Sequence, residues 1–406
     1  MADVHQDPIA PLLTSEGWEL LSTLGPYDES EAFKLNSELR KRGHSPEVVS
    51  AVLTQSRLRT RAEAKFGEFA RQLLFTQAGL EQATRLNVAA HHANRFAAAG
   101  VKHVADLGCG IGADAIALAI LDLQVTAVEQ DETTAAVATM NLMPFPNATV
   151  VHADATEVDL SGVDGVWLDP ARRNTTTSGT QRIWDPEAFS PPLSFVEQLA
   201  DTGMPVGVKL GPGLPHESVP AGCEVQWVSV DGDVVEAALW FNALARPAVR
   251  RSALVIGPKG AAELTSAAGF DAVGQDVETG PAEGYLYEPD GAVIRAGLVA
   301  DVAHQLGGHL LDPHIAYICA PELHETPFAK AYKILEVHPY NVKRLKAWVR
   351  SNRIGTLEIK KRGTAVTPEE LRRQLLTGSG KGPNQATLVL TRIGEERVAL
   401  VVKPLR

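Results

Sequence analysis

The stretch of residues 104–114, VADLGCGIGAD, constrains the fold of this 406-residue chain more than any other. Its first residues indicate a short buried strand, and the three glycines that follow indicate a tight turn. Glycine has no Cβ atom, so its backbone can turn sharply and approach a ligand closely. A helix that begins near Ala113 directs its first N–H groups at the same place. The stretch therefore predicts one strand–turn–helix unit of an α/β sheet, with a ligand at the turn.

Two acidic residues narrow the choice of ligand. Glu129 ends the next apolar strand, 23 residues after Asp106, where an acid can accept hydrogen bonds from ribose hydroxyls. Gly108-x-Gly110-x-x-Ala113 fits the loose dinucleotide fingerprint, so NAD(P) is the alternative. However, Asp106 would lie near the phosphates of a dinucleotide, which is unfavourable. It suits the ammonium group of S-adenosylmethionine (SAM), which the pattern therefore favours.

Bulk composition indicates a cytoplasmic enzyme. Hydrophobic residues make up 45% of the chain, enough for large cores. No apolar run reaches the roughly 20 residues that cross a bilayer, and no signal-peptide pattern is present, so no membrane partner is expected. The three cysteines, Cys109, Cys223 and Cys319, form no CxxC pair. This argues against a disulfide framework or a cysteine zinc site, and no other cluster has metal-ligand spacing.

Charge is distributed unevenly along the chain. Residues 331–406 contain 16 lysines and arginines against 6 acidic residues, whereas the whole chain has a net charge of −11. A basic end on an acidic body suggests a polyanionic partner held at that end. The alternative is a solvated basic surface, and the size of the asymmetry favours nucleic acid.

The pattern of elements divides the chain into four regions. Apolar residues at helical spacing over 14–24, 30–42, 46–58, 66–74 and 86–99 predict an N-terminal helical region. Strands and helices then alternate, as a doubly wound parallel sheet requires, and end in a hairpin around Asp231. The third region has no predicted role, and the fourth reads as a small α+β domain. The predicted ranges are 1–90, 91–245, 246–330 and 331–406.

Five motifs together resemble a known family. They are ADLGCGIG at 105–112, VEQD at 128–131, HAD at 152–154, LDPARR at 168–173 and LEVHP at 335–339. With them the chain resembles bacterial class I SAM-dependent methyltransferases that carry a C-terminal THUMP-like domain. The resemblance implies a Rossmann-like seven-stranded methyltransferase sheet, SAM as cofactor and action on RNA.

The resemblance also implies a set of cofactor-binding residues. Asp154 follows the third apolar strand and would accept a hydrogen bond from the adenine amino group. Its alternative role is to cap the next turn. The implied cofactor-binding set is Asp106, Gly108, Gly110, Gly112, Glu129, Gln130 and Asp154.

The motif at 169–173 is the predicted methyl-acceptor site, because ligands of open α/β sheets bind at the carboxyl ends of strands. Amino-methyltransferases often carry Asp/Asn-Pro-Pro-aromatic here. Asp169 and Pro170 match that pattern, whereas Ala171 and Arg172 do not, which puts methylation of an exocyclic amine in doubt. Trp184 or Phe189 is the candidate stacking residue instead. The predicted catalytic residues are Asp169, Pro170 and Arg172.

Several cations are candidates for substrate contact. Arg172 and Arg173 suit phosphate or carboxylate groups, or one of them pairs with an acid such as Asp185. Lys209 either lines the same site or is an ordinary surface lysine. The predicted substrate-binding residues are Arg173, Lys360, Lys361 and Arg362.

These observations predict a SAM-dependent methyltransferase that methylates a base in structured RNA, either tRNA or rRNA. A pyrimidine C5 mechanism with a cysteine nucleophile is disfavoured, since Cys109 belongs to the cofactor turn. Two other classes stay open: a methyltransferase of a protein or small molecule, and a non-catalytic module that binds SAM or RNA. The sequence predicts no oligomeric state.

Overall fold

A computed structural model describes residues 9–171, 173–176, 179–182, 185–273, 278–377 and 382–405 of the chain. The chain forms two compact units. The first comprises Met1–Leu210 and Trp240–Ala245, and the second comprises Gly211–Leu239 and Arg246–Arg406. Within the described residues, no helix combines the length and apolar character needed to cross a membrane.

The N-terminal part of the first unit is helical, as predicted, with one difference. Ser45 caps the third helix by accepting from Val48 N at 3.3 Å, and Pro46 opens it. That helix continues past the predicted end and stops at Gly67, where φ is +55°. A helix predicted over 66–74 is therefore only a short 3-10 turn, Gly67–Arg71. The helices are α1 (Ser15–Thr23), α2 (Ala32–Lys41), α3 (Pro46–Phe66), α4 (Gln77–Gln82) and α5 (Leu86–Ala98).

The large sheet follows the predicted alternation of strands and helices. Its helices are α6 (Ala113–Ile120), α7 (Glu132–Leu142) and α8 (Leu193–Asp201). The strands from this part of the chain are β1 (His103–Leu107), β2 (Gln124–Glu129), β3 (Ala148–His152), β4 (Gly165–Leu168), β5 (Arg173–Thr176), β6 (Gly179–Arg182), β7 (Val206–Leu210), β8 (Glu224–Val230), β9 (Asp233–Phe241), β10 (Arg251–Gly257) and β11 (Gly260–Ser266).

The strand order of this sheet is β11-β10-β8-β9-β7-β4-β1-β2-β3, and β5 and β6 form a separate hairpin. β1 pairs in parallel with both β2 and β4, so the chain reverses its direction of travel across the sheet at β1. In open α/β sheets this reversal marks the ligand site, at the carboxyl ends of the strands. The seven predicted strands are all present, and β10 and β11 extend the sheet beyond them.

An aromatic cluster packs beside strands β4 and β7 in the first unit. The rings of Trp167 and Trp240 are stacked with centroids 5.4 Å apart, and the His92 ring lies 4.2 Å from that of Trp167. A Cβ atom on Gly207 would lie 2.8 Å from both indole rings. The glycine in β7 therefore makes room for the two tryptophans.

The second unit contains a seven-stranded sheet. The elements from Tyr285 onward are β12 (Tyr285–Pro289), α9 (Gly291–Arg295), α10 (Val299–Gln305), β13 (His309–Asp312), β14 (Ile315–Ala320), β15 (Ala329–Pro339), α11 (Val342–Ser351), β16 (Ile354–Lys361), α12 (Pro368–Leu376), β17 (Asn384–Ile393) and β18 (Glu396–Pro404).

The strand order of this second sheet is β13-β14-β12-β15-β18-β17-β16. Leu345 and Val349 of α11 and Leu371 and Leu375 of α12 pack against it. Strands β12 to β14, from the region that had no predicted role, belong to the same sheet as the basic C-terminal strands.

Candidate active site

The glycine turn after β1 needs glycine for its shape. Gly108, Gly110 and Gly112 all have positive φ, at +83°, +56° and +91°, which side chains disfavour. The turn is held by Gly108 N and Cys109 N, which donate to the carbonyl of Val128 at 2.9 and 3.0 Å. The last glycine directly precedes α6, so the N-terminal N–H groups of that helix lie beside the turn.

Asp106 is the most unusual group of the site. It is 1% exposed, and neither carboxylate oxygen has a hydrogen-bond partner among the described residues. Burial raises its pKa well above the usual range, and the charges of Asp114 and Asp169 raise it further. The charge of Lys209 and the nearby backbone N–H of Ala115 oppose them. A buried carboxylate without a partner is costly. A cationic group would remove that cost, so the site fits the ammonium end of SAM.

Glu129, at the end of β2, is already anchored to the turn. Its two oxygens accept from Gly110 N at 3.1 Å and from Asp131 N at 2.9 Å. A carboxylate has about four acceptor positions, so these bonds leave capacity for ribose hydroxyls. Gln130 beside it is exposed, and its carbonyl accepts from His152 Nε2 at 3.0 Å.

Asp154 makes the turn-capping contacts that were its alternative role. One carboxylate oxygen accepts from the N and Oγ1 of Thr156, at 2.8 and 2.7 Å. These two bonds lower the pKa of Asp154. The residue is exposed beyond the end of β3, and the bonds fix its carboxylate in one orientation.

The methyl-acceptor motif begins at the end of β4. Asp169 N donates to Leu107 O at 3.2 Å, which places the half-buried Asp169 beside the cofactor turn. Pro170 is buried, and so is Phe189, a candidate stacking residue. Arg172 and Trp184 lie outside the described residues, as does the side chain of Arg173, whose backbone opens β5 opposite Arg182.

Lys209 is an internal residue, so its interpretation as a surface lysine is wrong. It is 4% exposed, because all five positions of β7 are buried. Its Nζ donates to Asp169 Oδ2 at 2.5 Å, to Thr84 Oγ1 at 2.9 Å and to Gln82 O at 3.3 Å. The only sequence signal was its position inside a strand that is apolar on both faces.

Sequence reasoning did not select Thr84, His92 or Asp114 as site residues. Thr84 Oγ1 donates to Asp114 Oδ2 at 2.6 Å, and His92 Nδ1 lies 2.8 Å from Asp114 Oδ1. Burial alone would raise the pKa of Asp114, but the bonds from His92 and Thr84 and the charge of Lys209 bring it below its usual value. Asp114 is therefore ionised at neutral pH.

Two of the three thiols are not activated as nucleophiles. Cys109 lies in the cofactor turn, and burial raises its pKa well above the ordinary value. Burial likewise raises the pKa of Cys319, in the second unit, to about 12. Both thiols stay protonated at neutral pH, which argues against either as the nucleophile of a pyrimidine C5 mechanism.

The three cations of the predicted basic run, Lys360 to Arg362, differ in their surroundings. Lys360 Nζ donates to Glu288 Oε2 at 2.8 Å, and the Arg362 guanidinium lies 5.2 Å from the ring of Tyr317. Lys361, between them, is exposed. Other exposed cations of this region are Lys333, Lys343, Arg344, Arg350, Arg353, Arg373, Arg397 and Lys403.

Family models match both ends of the chain. A model described as "THUMP domain-like" matches residues 329–404, which span β15 to β18. A second model, a domain of unknown function (DUF8688), matches residues 5–62, which include α1, α2 and most of α3.

Relatives cover nearly the whole chain. An uncharacterized S-adenosylmethionine-dependent methyltransferase of Mycobacterium tuberculosis, found in strains CDC 1551 / Oshkosh and H37Rv, is 34% identical over 349 residues. The match covers 83% of this chain and 91% of the relative. The crystal structure of a "putative methyltransferase" from Porphyromonas gingivalis W83 superimposes with a TM-score of 0.72 at 20% identity. It covers 94% of this chain and 100% of its own, and so shows the same fold. The chain belongs to the S-adenosylmethionine-dependent methyltransferases, and it carries a THUMP-like domain at its C-terminal end.

Proposed function

We propose that this methyltransferase modifies a base of structured RNA, either tRNA or rRNA. The observation that carries the proposal is the cationic surface of the THUMP-like domain on an otherwise acidic chain. Residues 331–406 hold 16 lysines and arginines against 6 acidic residues. Surface cations of this density favour a polyanion, since each phosphate that they bind releases counterions.

Helix α11 is the best candidate for contact with RNA. Its apolar side is buried through Leu345 and Val349, and Lys343, Arg344 and Arg350 are exposed. Such cations hold the phosphate backbone and fix its register, but they do not read sequence. Choice of the target base would then depend on RNA shape and on the catalytic unit.

The turn residues would bind SAM. Asp106 would pair with its ammonium group and Glu129 with its ribose hydroxyls. Asp154 would accept from the adenine amino group, beside Gln130, and the glycine backbone would line the cofactor. The bound cofactor supplies a methyl group already activated on a sulfonium.

Asp169 would orient the acceptor group and receive its proton, with the backbone of Pro170 as a second acceptor. Positioning supplies most of the rate when the donor is already activated, because a well-oriented pair reacts as if at high concentration. Arg172 and Arg173 are proposed to contact phosphate near the target base. The cytoplasm remains the proposed location, in keeping with three buried cysteines that form no disulfide bond.

The direct test is transfer of labelled methyl from SAM to RNA extracted from a host strain that lacks the protein. We expect label in the RNA fraction that ribonuclease removes, and none with the Asp106→Asn variant. Label in protein or in small molecules would show that the substrate belongs to one of those classes and is not RNA. Absence of transfer to any fraction, with SAM still bound, would favour a non-catalytic module.

A further inference from the structure

The chain between α3 and α5 is held by side chains rather than by neighbouring strands. We call residues 73–85 the strap. Three buried or half-buried side chains bind the backbone at its start. The contacts are Arg59 Nε to Leu73 O at 2.9 Å, Asn141 Oδ1 and Nδ2 to Leu74 N and O at 2.7 and 3.0 Å, and Gln55 Oε1 and Nε2 to Phe75 N and O at 3.1 and 2.5 Å.

Two lysines hold the other end of the strap, where α4 ends. The last carbonyls of a helix lack partners within the helix and need outside donors. Here four consecutive carbonyls are satisfied by ammonium groups. Lys65 Nζ donates to Leu80 O, Glu81 O and Ala83 O, each at 2.8 Å, and Lys209 Nζ donates to Gln82 O at 3.3 Å.

Two cations of α3 do not face the solvent. Arg59 and Lys65 are half-buried and bind the strap. Burial lowers the pKa of Arg59 to about 10. It lowers that of Lys65 to about 8, helped by the charges of Lys209 and Arg85.

Lys209 joins the strap to the methyl-acceptor site. An ammonium group has three N–H donors. Each can be assigned an acceptor here: Gln82 O, Thr84 Oγ1 and Asp169 Oδ2. With its donors assigned to three acceptors, one of them a carboxylate, Lys209 acts as a hydrogen-bond donor to Asp169.

We propose that Lys209 is a positioning residue that fixes the Asp169 carboxylate in one orientation and in its ionised form, and that the strap in turn fixes Lys209. This rests on the proposed role of Asp169 in methyl transfer. The N-terminal helices would then help to position Asp169, since Gln55 and Arg59 of α3 hold the start of the strap.

Thr84 fixes the donor-to-acceptor direction of these hydrogen bonds. Its hydroxyl donates to the buried Asp114 at 2.6 Å, so it must accept from Lys209. The sequence of bonds is thus Lys209 to Thr84 to Asp114, with Asp114 in the first turn of α6. Thr84→Val keeps the shape of the side chain and removes both bonds.

The pairing is tested without any methyl acceptor by NMR of lysine ¹⁵Nζ ammonium groups in the full-length protein. We expect a slowly exchanging ammonium signal that Lys209→Met removes and that Asp169→Asn and Thr84→Val both shift. The matched control is Asp201→Asn, an exposed carboxylate at the end of α8, which should leave the signal unmoved. A Lys209 signal whose chemical shift is unchanged by Asp169→Asn overturns the proposal.

The consequence for catalysis is tested with the RNA of the host strain that lacks the protein. We expect Lys209→Met to lower kcat about 100-fold, the cost of a misplaced reacting group. The comparison is made at saturating SAM, because Lys209 also lowers the pKa of Asp106. The acidic limb of the kcat profile should move to higher pH, because the ammonium favours the ionised carboxylate.

A merely structural role for Lys209 would lower activity equally at every pH, and that result overturns the proposal. Thr84→Val should lower kcat and shift its pH profile in the same direction, but by less. It replaces Lys209→Met as the test variant if Lys209→Met fails to fold. If the unaltered protein methylates no RNA, only the proposed substrate fails. The NMR result still decides whether Lys209 positions Asp169.

Discussion

A Cβ atom on Gly108 would lie 2.9 Å from the carbonyl oxygen of Asp169, so the cofactor turn and the acceptor motif are in backbone contact. Gly108→Ala should therefore displace Asp169 as well as strain the turn. We expect transfer to fall at least tenfold, a barrier increase of about 1.4 kcal/mol. The matched control is Gly100→Ala at the end of α5, where φ is +80° and no atom lies within 4 Å.

Both variants carry the same backbone strain, about 1–2 kcal/mol for a left-handed residue with a side chain. Thermal unfolding should therefore show a loss of stability for both variants, and a larger one for Gly108→Ala, whose Cβ also meets the Asp169 carbonyl. Equal methyl transfer by the two variants would show that the close approach of Gly108 to Asp169 is unimportant.

SAM binding should release a proton and strengthen as pH rises. Burial raises the pKa of Asp106 in the ligand-free protein, whereas the ammonium of SAM would favour the ionised carboxylate. The affinity should rise until the pH exceeds the pKa of Asp106 in the free protein. Calorimetry in buffers of different ionisation enthalpy counts the released proton, and Asp106→Asn should abolish the release. Proton uptake by the unaltered protein would contradict this assignment.

The same residue should lower the stability of the ligand-free protein. The folded state holds the Asp106 proton more tightly than the unfolded state, so its contribution to stability falls as pH rises above the ordinary carboxyl range. Asp106→Asn should therefore raise Tm at neutral pH, by about 2 °C for each kcal/mol regained. It should also abolish the increase in Tm that SAM gives the unaltered protein. A lower Tm without ligand would argue against a strained buried carboxylate.

Reversal of three exposed charges on α11 should weaken RNA binding. We expect Lys343→Glu, Arg344→Glu and Arg350→Glu together to reduce affinity at least tenfold. The slope of log K against log salt should decrease by about 0.7–0.9 for each phosphate that the variant no longer binds. The matched control reverses the exposed Arg40, Lys41 and Arg42, which changes net charge equally. Equal effects of both triple variants, or binding that ignores salt, would refute an RNA surface on α11.

The cofactor turn was predictable because its parts are close in sequence. One strand, one turn and the next strand bring Asp106, Gly108 and Glu129 together, whatever the rest of the chain does. The Lys209 arrangement was not predictable, since its partner Thr84 is 125 residues away. Long-range pairs of this kind leave no periodic signal in a single sequence.

Strand geometry explains why Lys361 is exposed while the cations on either side of it have protein partners. Successive side chains of a strand point to opposite faces. Lys360 and Arg362 are engaged by Glu288 and Tyr317, and Lys361 between them is exposed. The composition of the run indicated charge correctly, but it could not tell which cations face the solvent.

The most direct test of RNA methylation is nucleoside mass spectrometry of total RNA from cells with and without this protein. We expect one methylated nucleoside that is missing without the protein and restored by the unaltered chain. Asp169→Ala should not restore it. Identical nucleoside profiles with and without the protein, or full restoration by Asp169→Ala, would show that this protein does not methylate RNA in the cell through Asp169.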